Sequence, residues 1–309
     1  MGKFSGNSIV CTSEGLTRIE DLNLGKVSLY SVYKDGTVKT GFREYTLSEC
    51  INQPCTVQLR RTLLKLVTTP DTKLILNPET GHQVTTGDAH GLKTAITSYP
   101  TSINKKPNWK LDLSLVSDRP EARELDLRDN MFNTLMLLTL QYGYATEDGI
   151  SLPEQVEGEF FNFFEPYNLL RTGYYKSPKN TYFTVSKNDL SDYLQLIFEL
   201  NKELPDEVTF NVSLDYYKYL LDAVVNIEEY FYIPERKPRA LDNFWRSVNI
   251  VLLRHNHMLT GYARNYKDKV IDEEKYSLFV DTPQQMKSMY ELTPVEPNTY
   301  LVSEGFLVK

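Results

Sequence analysis

The chain has little cysteine, little histidine and no long apolar run. Among its 309 residues are three cysteines and four histidines. Cys11, Cys50 and Cys55 are odd in number, lack CxxC spacing and have no histidines nearby, which excludes a disulfide framework and a zinc-finger type of site. They read as reduced thiols, and a cytoplasmic location is expected. The longest apolar stretches, such as Leu135–Leu140, fall far short of the roughly 20 residues that span a bilayer. The N-terminus lacks a basic-then-apolar signal, so a soluble chain without membrane partners is expected. Basic charge is also short. Residues 97–275 hold 21 Lys/Arg against 28 Asp/Glu, so the whole net charge of −7 falls on that stretch. Binding DNA phosphates needs a cationic face, and an acidic stretch argues against it. Lys105-Lys106 and Arg236-Lys237-Pro238-Arg239 could form local basic patches, but they are read as solvated loops.

What is present is a β-rich beginning, an α+β middle and a β-rich end. Residues 1–96 carry short runs of Val, Ile, Leu and Thr: Ser8–Cys11, Val27–Tyr33, Val57–Leu59, Leu63–Thr68 and Lys73–Leu76. Turn signals at Asp35-Gly36, Thr80-Gly81 and Gly87-Asp88 separate them. In the middle, Met131, Leu135, Leu138 and Tyr142 follow a helical stripe that is expected to end at Asp148-Gly149. Leu214, Tyr217, Leu221 and Val224 make a second stripe. Phe160–Phe164, Thr181–Val185 and Tyr230–Ile233 read as strands. Helices are expected after a capping box at Ser186 and Asp189, and around Asp242–His255. Helix, strands and helix thus occur twice, some 70 residues apart, which suggests a pseudo-repeat. The tail returns to β-like runs at Ser277–Val280, Met289–Thr293, Thr299–Val302 and Gly305–Val308. The expectation is one domain, 1–96 plus 276–309, interrupted by an inserted domain, 97–275.

Three stretches resemble the Hint fold shared by inteins and Hedgehog processing domains. Residues Lys3-Phe4-Ser5-Gly6-Asn7-Ser8, continuing through Ile19, Asp21-Leu22 and Gly25-Lys26-Val27, are similar to its opening, Cys-x-x-Gly-Asp-Thr with Ile-x-Asp-Leu and Gly-Asp-x-Val. Thr69-Pro70-Asp71-Thr72 is similar to the second intein block, Thr-x-x-His, and the stretch from Met289 to Lys309 to the intein ending, His-Asn. Gln141 to Gly149 and Tyr217 to Val225 resemble two copies of the LAGLIDADG motif of homing endonucleases. The implied fold is mixed: an all-β Hint domain with an inserted α+β, pseudo-two-fold LAGLIDADG-like domain.

The resemblance implies chemistry that the residues no longer support. Splicing begins with a Cys or Ser nucleophile, where Lys3 stands, and an ammonium cannot perform an acyl shift. Ser5 is not expected to substitute, because Gly6-Asn7-Ser8 fixes the strand register. Thr72 replaces the block histidine and has no pKa near neutrality. Thr69 remains as a strand residue, and Val308-Lys309 replaces His-Asn, so no amide can cyclise. With Met1 two residues before the block and Lys309 at the last intein position, no flanking segments to splice are expected. DNA cutting needs one acid from each motif helix to hold metal. Asp148 fills the first position, a weak metal candidate. Val224 fills the second, and Asp222 lies about 200° away around the helix. Gly143 keeps the close-approach position, while Tyr219 is expected to widen the helix crossing. His82 and His90, near Asp88, read as loop histidines.

The expected function is therefore that of a non-enzymatic adaptor without cofactors, binding other proteins through exposed aromatics. The chain has 21 tyrosines and 14 phenylalanines. Phe160, Phe161, Phe163 and Phe164 are the partner-binding candidates, since four such residues on one strand cannot all point inward. Tyr and Asn content together with intein ancestry resembles proteins of large tailed bacteriophages, which implies phage or host partners, in sorting or transport. The alternative is a DNA-binding factor or an active endonuclease, expected if a basic concave sheet is present.

Overall fold

Short runs of β-branched and aromatic residues, punctuated by turn residues, make the first part of the chain extended. The computed structural model describes residues 2–23, 25–101, 107–113, 124–178, 180–231, 233, 236–261, 267–271, 274–281 and 283–309. The early strands are β1 (Gly2–Phe4), β2 (Ile9–Thr12), β3 (Gly15–Arg18), β4 (Gly25–Asp35), β5 (Thr37–Asn52), β6 (Cys55–Leu59), β7 (Lys65–Thr68), β8 (Lys73–Asn77), β9 (His82–Thr85) and β10 (Lys93–Thr94). There follow β11 (Lys110–Asp112), β12 (Glu124–Asp126), α1 (Asn130–Tyr142), β13 (Tyr144–Thr146), β14 (Gly149–Pro153), α2 (Glu157–Phe163), β15 (Arg171–Lys176) and β16 (Thr181–Ser186). Four helices come next: α3 (Asp189–Glu199), α4 (Asp206–Thr209), α5 (Tyr216–Tyr230) and α6 (Asp242–Leu253). The tail holds β17 (His257–Thr260), β18 (Lys267–Val270), β19 (Tyr276–Val280), β20 (Lys287–Pro294), β21 (Thr299–Ser303) and β22 (Phe306–Val308). Among the described residues no helix is long and apolar enough to cross a membrane.

The chain divides into two compact units, Met1–Lys105 with Asn249–Lys309, and Lys106–Val248. In the first, strands from both ends of the chain interleave in one antiparallel sheet, ordered β10-β19-β6-β7-β1-β20-β5-β4-β2-β21-β22-β8-β9, with β3 on β2. The borders differ from those expected at 96/97 and 275/276, because hydrogen bonds tie residues 249–261 to this unit. Gly261 N donates to the Arg61 carbonyl at 2.9 Å. Tyr99 N donates to the Leu253 carbonyl at 3.2 Å. Thr62 also forms an antiparallel bridge with Thr260. The longest strand, β5, lies where no run was expected. Its residues are mostly polar and it buries only Tyr45 and Leu47. What positions it is the Asp35-Gly36 turn, with Gly36 at φ 71°, and pairing with β4 as far as Leu47.

The second unit is built on an antiparallel sheet ordered β13-β14-β16-β15. Alternation puts Ile150, Leu152, Phe183 and Val185 on one face, all fully buried. Helix α1 starts at Asp129, whose carboxylate accepts from Met131 N and Phe132 N, and stops at Tyr142. The helix cannot run on to Asp148-Gly149, because Gly143 is pressed against β14: a Cβ there would lie 2.5 Å from the Ser151 carbonyl oxygen. Helix α3 opens with a capping box of Asn188 and Ser191, two residues later than expected.

Two other expectations are overturned, and a third is not seen among the described residues. Residues 160–163 form the end of α2 rather than a strand. Helix α5 continues through Tyr230 and no strand follows at 230–233 among the described residues, Tyr232 lying outside them. After α5, the described residues of this unit supply no second sheet to match the first, so the expected two-fold repeat is not seen. Lys105-Lys106 also lies outside the described residues.

Candidate functional site

In the first unit, the sheet order brings the positions aligned with splicing chemistry to one place. Strand β1 is held between β20 and β7, with Lys3 opposite Glu291 and Phe4 opposite both Tyr290 and Thr68. The loop after β7 then folds back beneath Lys3. Lys3 N donates to the Thr72 hydroxyl at 3.3 Å, and the Thr68 hydroxyl donates to the Lys3 carbonyl at 2.5 Å. The Thr69 and Thr72 hydroxyls meet at 2.9 Å, and both residues are buried. At the far end of the chain, Val308 pairs with Leu74. Lys309 N donates to the Lys73 carbonyl at 2.9 Å, and Lys73 N to the Lys309 carbonyl at 3.3 Å. The Val308 Cγ1 atom lies 3.6 Å from where a Cβ on Gly2 would stand.

Lys3, Thr69, Thr72, Val308 and Lys309 thus share one neighbourhood, which also contains a pair not singled out in the sequence. Lys3 Nζ lies 3.0 Å from Asp71 Oδ2. The Thr69 hydroxyl, and then the Lys3 ammonium, hold the Asp71 carboxyl below its ordinary range against the effect of burial. Asp71 in turn raises the Lys3 pKa, which burial opposes. An opposite charge standing beside the block that follows a cationic nucleophile position was the available signal. Hydroxyls and an ion pair offer neither a thiolate nor a base of neutral pKa. Ser5 is held by its backbone, with N bonded to the Val67 carbonyl at 3.1 Å and its carbonyl accepting from Ser8 N at 3.0 Å.

A cavity of about 300 Å³ opens against the same loop, lined by Cys55, Pro70, Gly87, His90, Val280, Asp281 and Pro283. His90 Nδ1 accepts from Val280 N at 3.3 Å and its ring lies 5.2 Å from that of Phe279. Burial pushes the Cys55 thiol up to about 11, aided by Asp71 and Asp281, which keeps it protonated near neutrality. His82 is exposed on β9, and Asp88 accepts from the Thr85 hydroxyl at 2.5 Å. Among the described residues no three His, Cys, Asp or Glu side chains are grouped to hold a metal.

In the second unit, the positions that resemble the endonuclease motifs are dispersed. Asp148 is an exposed turn residue between β13 and β14, six residues beyond the end of α1. Val224 is half-buried and Asp222 exposed on α5. Helices α1 and α5 meet through other residues: Asn226 Nδ2 donates to Thr134 Oγ1 at 3.0 Å and Tyr216 OH to Asn133 Oδ1 at 3.5 Å. Tyr219 packs on Trp109, with ring centroids 5.9 Å apart, and Gly143 makes room for a strand rather than a helix.

The phenylalanine cluster is core. Phe160 and Phe164 are fully buried, and Phe161 and Phe163 half-buried. Their rings pack on Phe183, Tyr230 and Phe231 at centroid distances of 5.1 to 5.8 Å. A helix carries all four toward one side because positions three and four apart share a face, so the argument from strand alternation does not apply. No family model and no curated protein matches the chain.

Proposed function

We propose that the chain is a Hint-type, intein-derived protein that has lost its splicing chemistry and works by binding. The carrying observation is the convergence of Lys3, Thr69, Thr72 and Lys309, four positions picked from three sequence blocks, around one loop. The inserted LAGLIDADG-like part belongs to the same reading as a non-cutting remnant, since Val224 offers no ligand and Asp148 stands on a turn. A protein partner in the role of an adaptor remains the preferred ligand. Its support no longer comes from the phenylalanines. It comes from Ile51, 72% exposed on β5, and Met286, 63% exposed and two positions from Ser288, the strand partner of Ile51. Grouped exposed apolar residues are a feature of interaction sites.

The test is a restored site. The chain is placed between two reporter segments, as it stands and as the K3C/T72H variant, and each is incubated with a small thiol. The parent is expected to remain intact, whereas the variant is cleaved ahead of position 3. A folded variant that stays uncleaved at every thiol concentration, or a parent that is cleaved, counts against the reading.

A further inference from the structure

The four-stranded sheet of the second unit has a second face, opposite to the buried Ile150, Leu152, Phe183 and Val185. Register and alternation put Tyr144, Ser151, Tyr182, Thr184 and Tyr175 on it. Three tyrosines form a row across the strands: the ring of Tyr182 lies 5.6 Å from that of Tyr144 and 6.3 Å from that of Tyr175. The outer residues reach solvent, Tyr175 at 60% and Tyr144 at 44% exposure, the Tyr144 ring lying under Arg239. The floor between them is polar, Ser151 Oγ meeting Thr184 Oγ1 at 3.3 Å.

Cations border this row. Arg239 lies over Tyr144 with its guanidinium carbon 4.2 Å from the ring centroid, and Arg236 over Tyr182 at 4.7 Å. Arg239 also donates to the Gly143 carbonyl, which fixes it at the end of α1. Lys202 lies in the turn after α3 with its ammonium 6.0 Å from the Phe198 ring centroid, and Asn201 and Lys202 both hold left-handed backbone, φ 53° and 65°. Burial, and then the charge of Arg239, lowers the Lys202 pKa, which marks a cation crowded by another cation. Among the described residues neither Lys202 nor Arg239 has a carboxylate partner. Acids stand at both ends of β14: Glu147 and Asp148 in the turn before it, and exposed Glu154 just after Pro153, the partner of Tyr182.

We propose that this face binds a single-stranded nucleic acid, with a base stacked on Tyr175 and phosphates against Arg239, which is held over Tyr144, and against Lys202. Open aromatic rings in a row with cations at the side take unpaired bases in any sequence. A duplex keeps its base faces stacked inside and leaves the tyrosines unused. The acidic balance of the unit as a whole makes the site local and the binding strongly dependent on salt.

Fluorescence anisotropy with the full chain tests this, using a dye-labelled oligothymidylate of about 15 nucleotides and a duplex of equal length, in salt from roughly 50 to 200 mM. The single strand is expected to bind at least about tenfold more tightly than the duplex. Tyr175→Ala should weaken it by about tenfold and Tyr175→Phe leave it unchanged, because stacking needs the ring alone. Lys202→Gln should flatten the salt dependence. Unchanged thermal unfolding of the variants shows that they are folded. Equal or tighter binding of the duplex, no binding at low salt, or full affinity in folded Tyr175→Ala would overturn the proposal.

Discussion

Individual residues here are constrained most where they are buried, and that is where substitutions have the clearest consequences. Phe160 touches Phe161, Phe164 and Phe183 and has no exposed surface. Phe160→Ala is therefore expected to cost about 3–5 kcal/mol in chemical denaturation, while Ile51→Ser changes stability by no more than about 0.5 kcal/mol. Gly149 sits at φ 127°, with the Val185 carbonyl oxygen 2.1 Å from where a Cβ would be. Gly149→Ala should unfold the second unit or leave its sheet unpaired, visible as lost hydrogen-exchange protection at β14 and β16. The thiols give a pH dependence. Burial pushes Cys11 up to about 12, with Arg254 opposing, and Cys55 up to about 11, from an ordinary value of 9.0. Both groups are neutral in the fold, so their contribution is complete below pH 9 and declines as the unfolded chain ionises above it. Denaturation midpoints should fall between pH 9 and 11, and iodoacetamide at pH 8 should label half-buried Cys50 ahead of Cys11 and Cys55.

At the scale of elements, the sequence was legible where a single period governed. Strands β4, β6, β8 and β19 to β22 and helices α3 and α6 stand close to their expected spans, and α1 covers its stripe but stops six residues before Asp148. Two failures have a common cause. Phe160 to Phe164 is short and apolar nearly throughout, so it fits either period, and only its neighbours decide in favour of helix. In α5 the helix was correct but its face only in part: Tyr217 is buried as expected, together with Tyr216, Leu220, Ala223 and Ile227, while Leu221 is 40% exposed and Val224 half-buried. Many apolar residues on both sides of a helix hide the true stripe. Leu220→Ala should accordingly cost about 2–5 kcal/mol and Leu221→Ala well under 1 kcal/mol, a contrast that thermal unfolding can read. Asn188→Ala should remove about 1 kcal/mol by exposing the first turn of α3, since its side chain accepts from Ser191 N at 2.9 Å. The polar strand β5 was illegible because its position comes from partners on both sides, β4 and β20, rather than from its own hydrophobicity.

For the whole molecule, what matters is that both ends of the chain build one sheet and that the loop after β7 lies where those ends meet. The positions of that site were legible as sequence blocks, but their proximity was not. It depends on pairings hundreds of residues apart, such as Lys3 opposite Glu291 and Val308 opposite Leu74. Its present occupants, two threonine hydroxyls and the Lys3–Asp71 pair, hold the loop without supplying a nucleophile. In the second unit, Asp148 on a turn and Val224 on a helix give no shared acidic site. Incubation with a plasmid library and Mg²⁺ or Mn²⁺ should accordingly leave every plasmid uncut. The most direct measurement is the intact mass of the chain flanked by two reporter segments, followed over days with and without thiol. Only the unprocessed precursor should be found. A ligated reporter, or a product hydrolysed at either junction, would show that the Lys3 site performs chemistry.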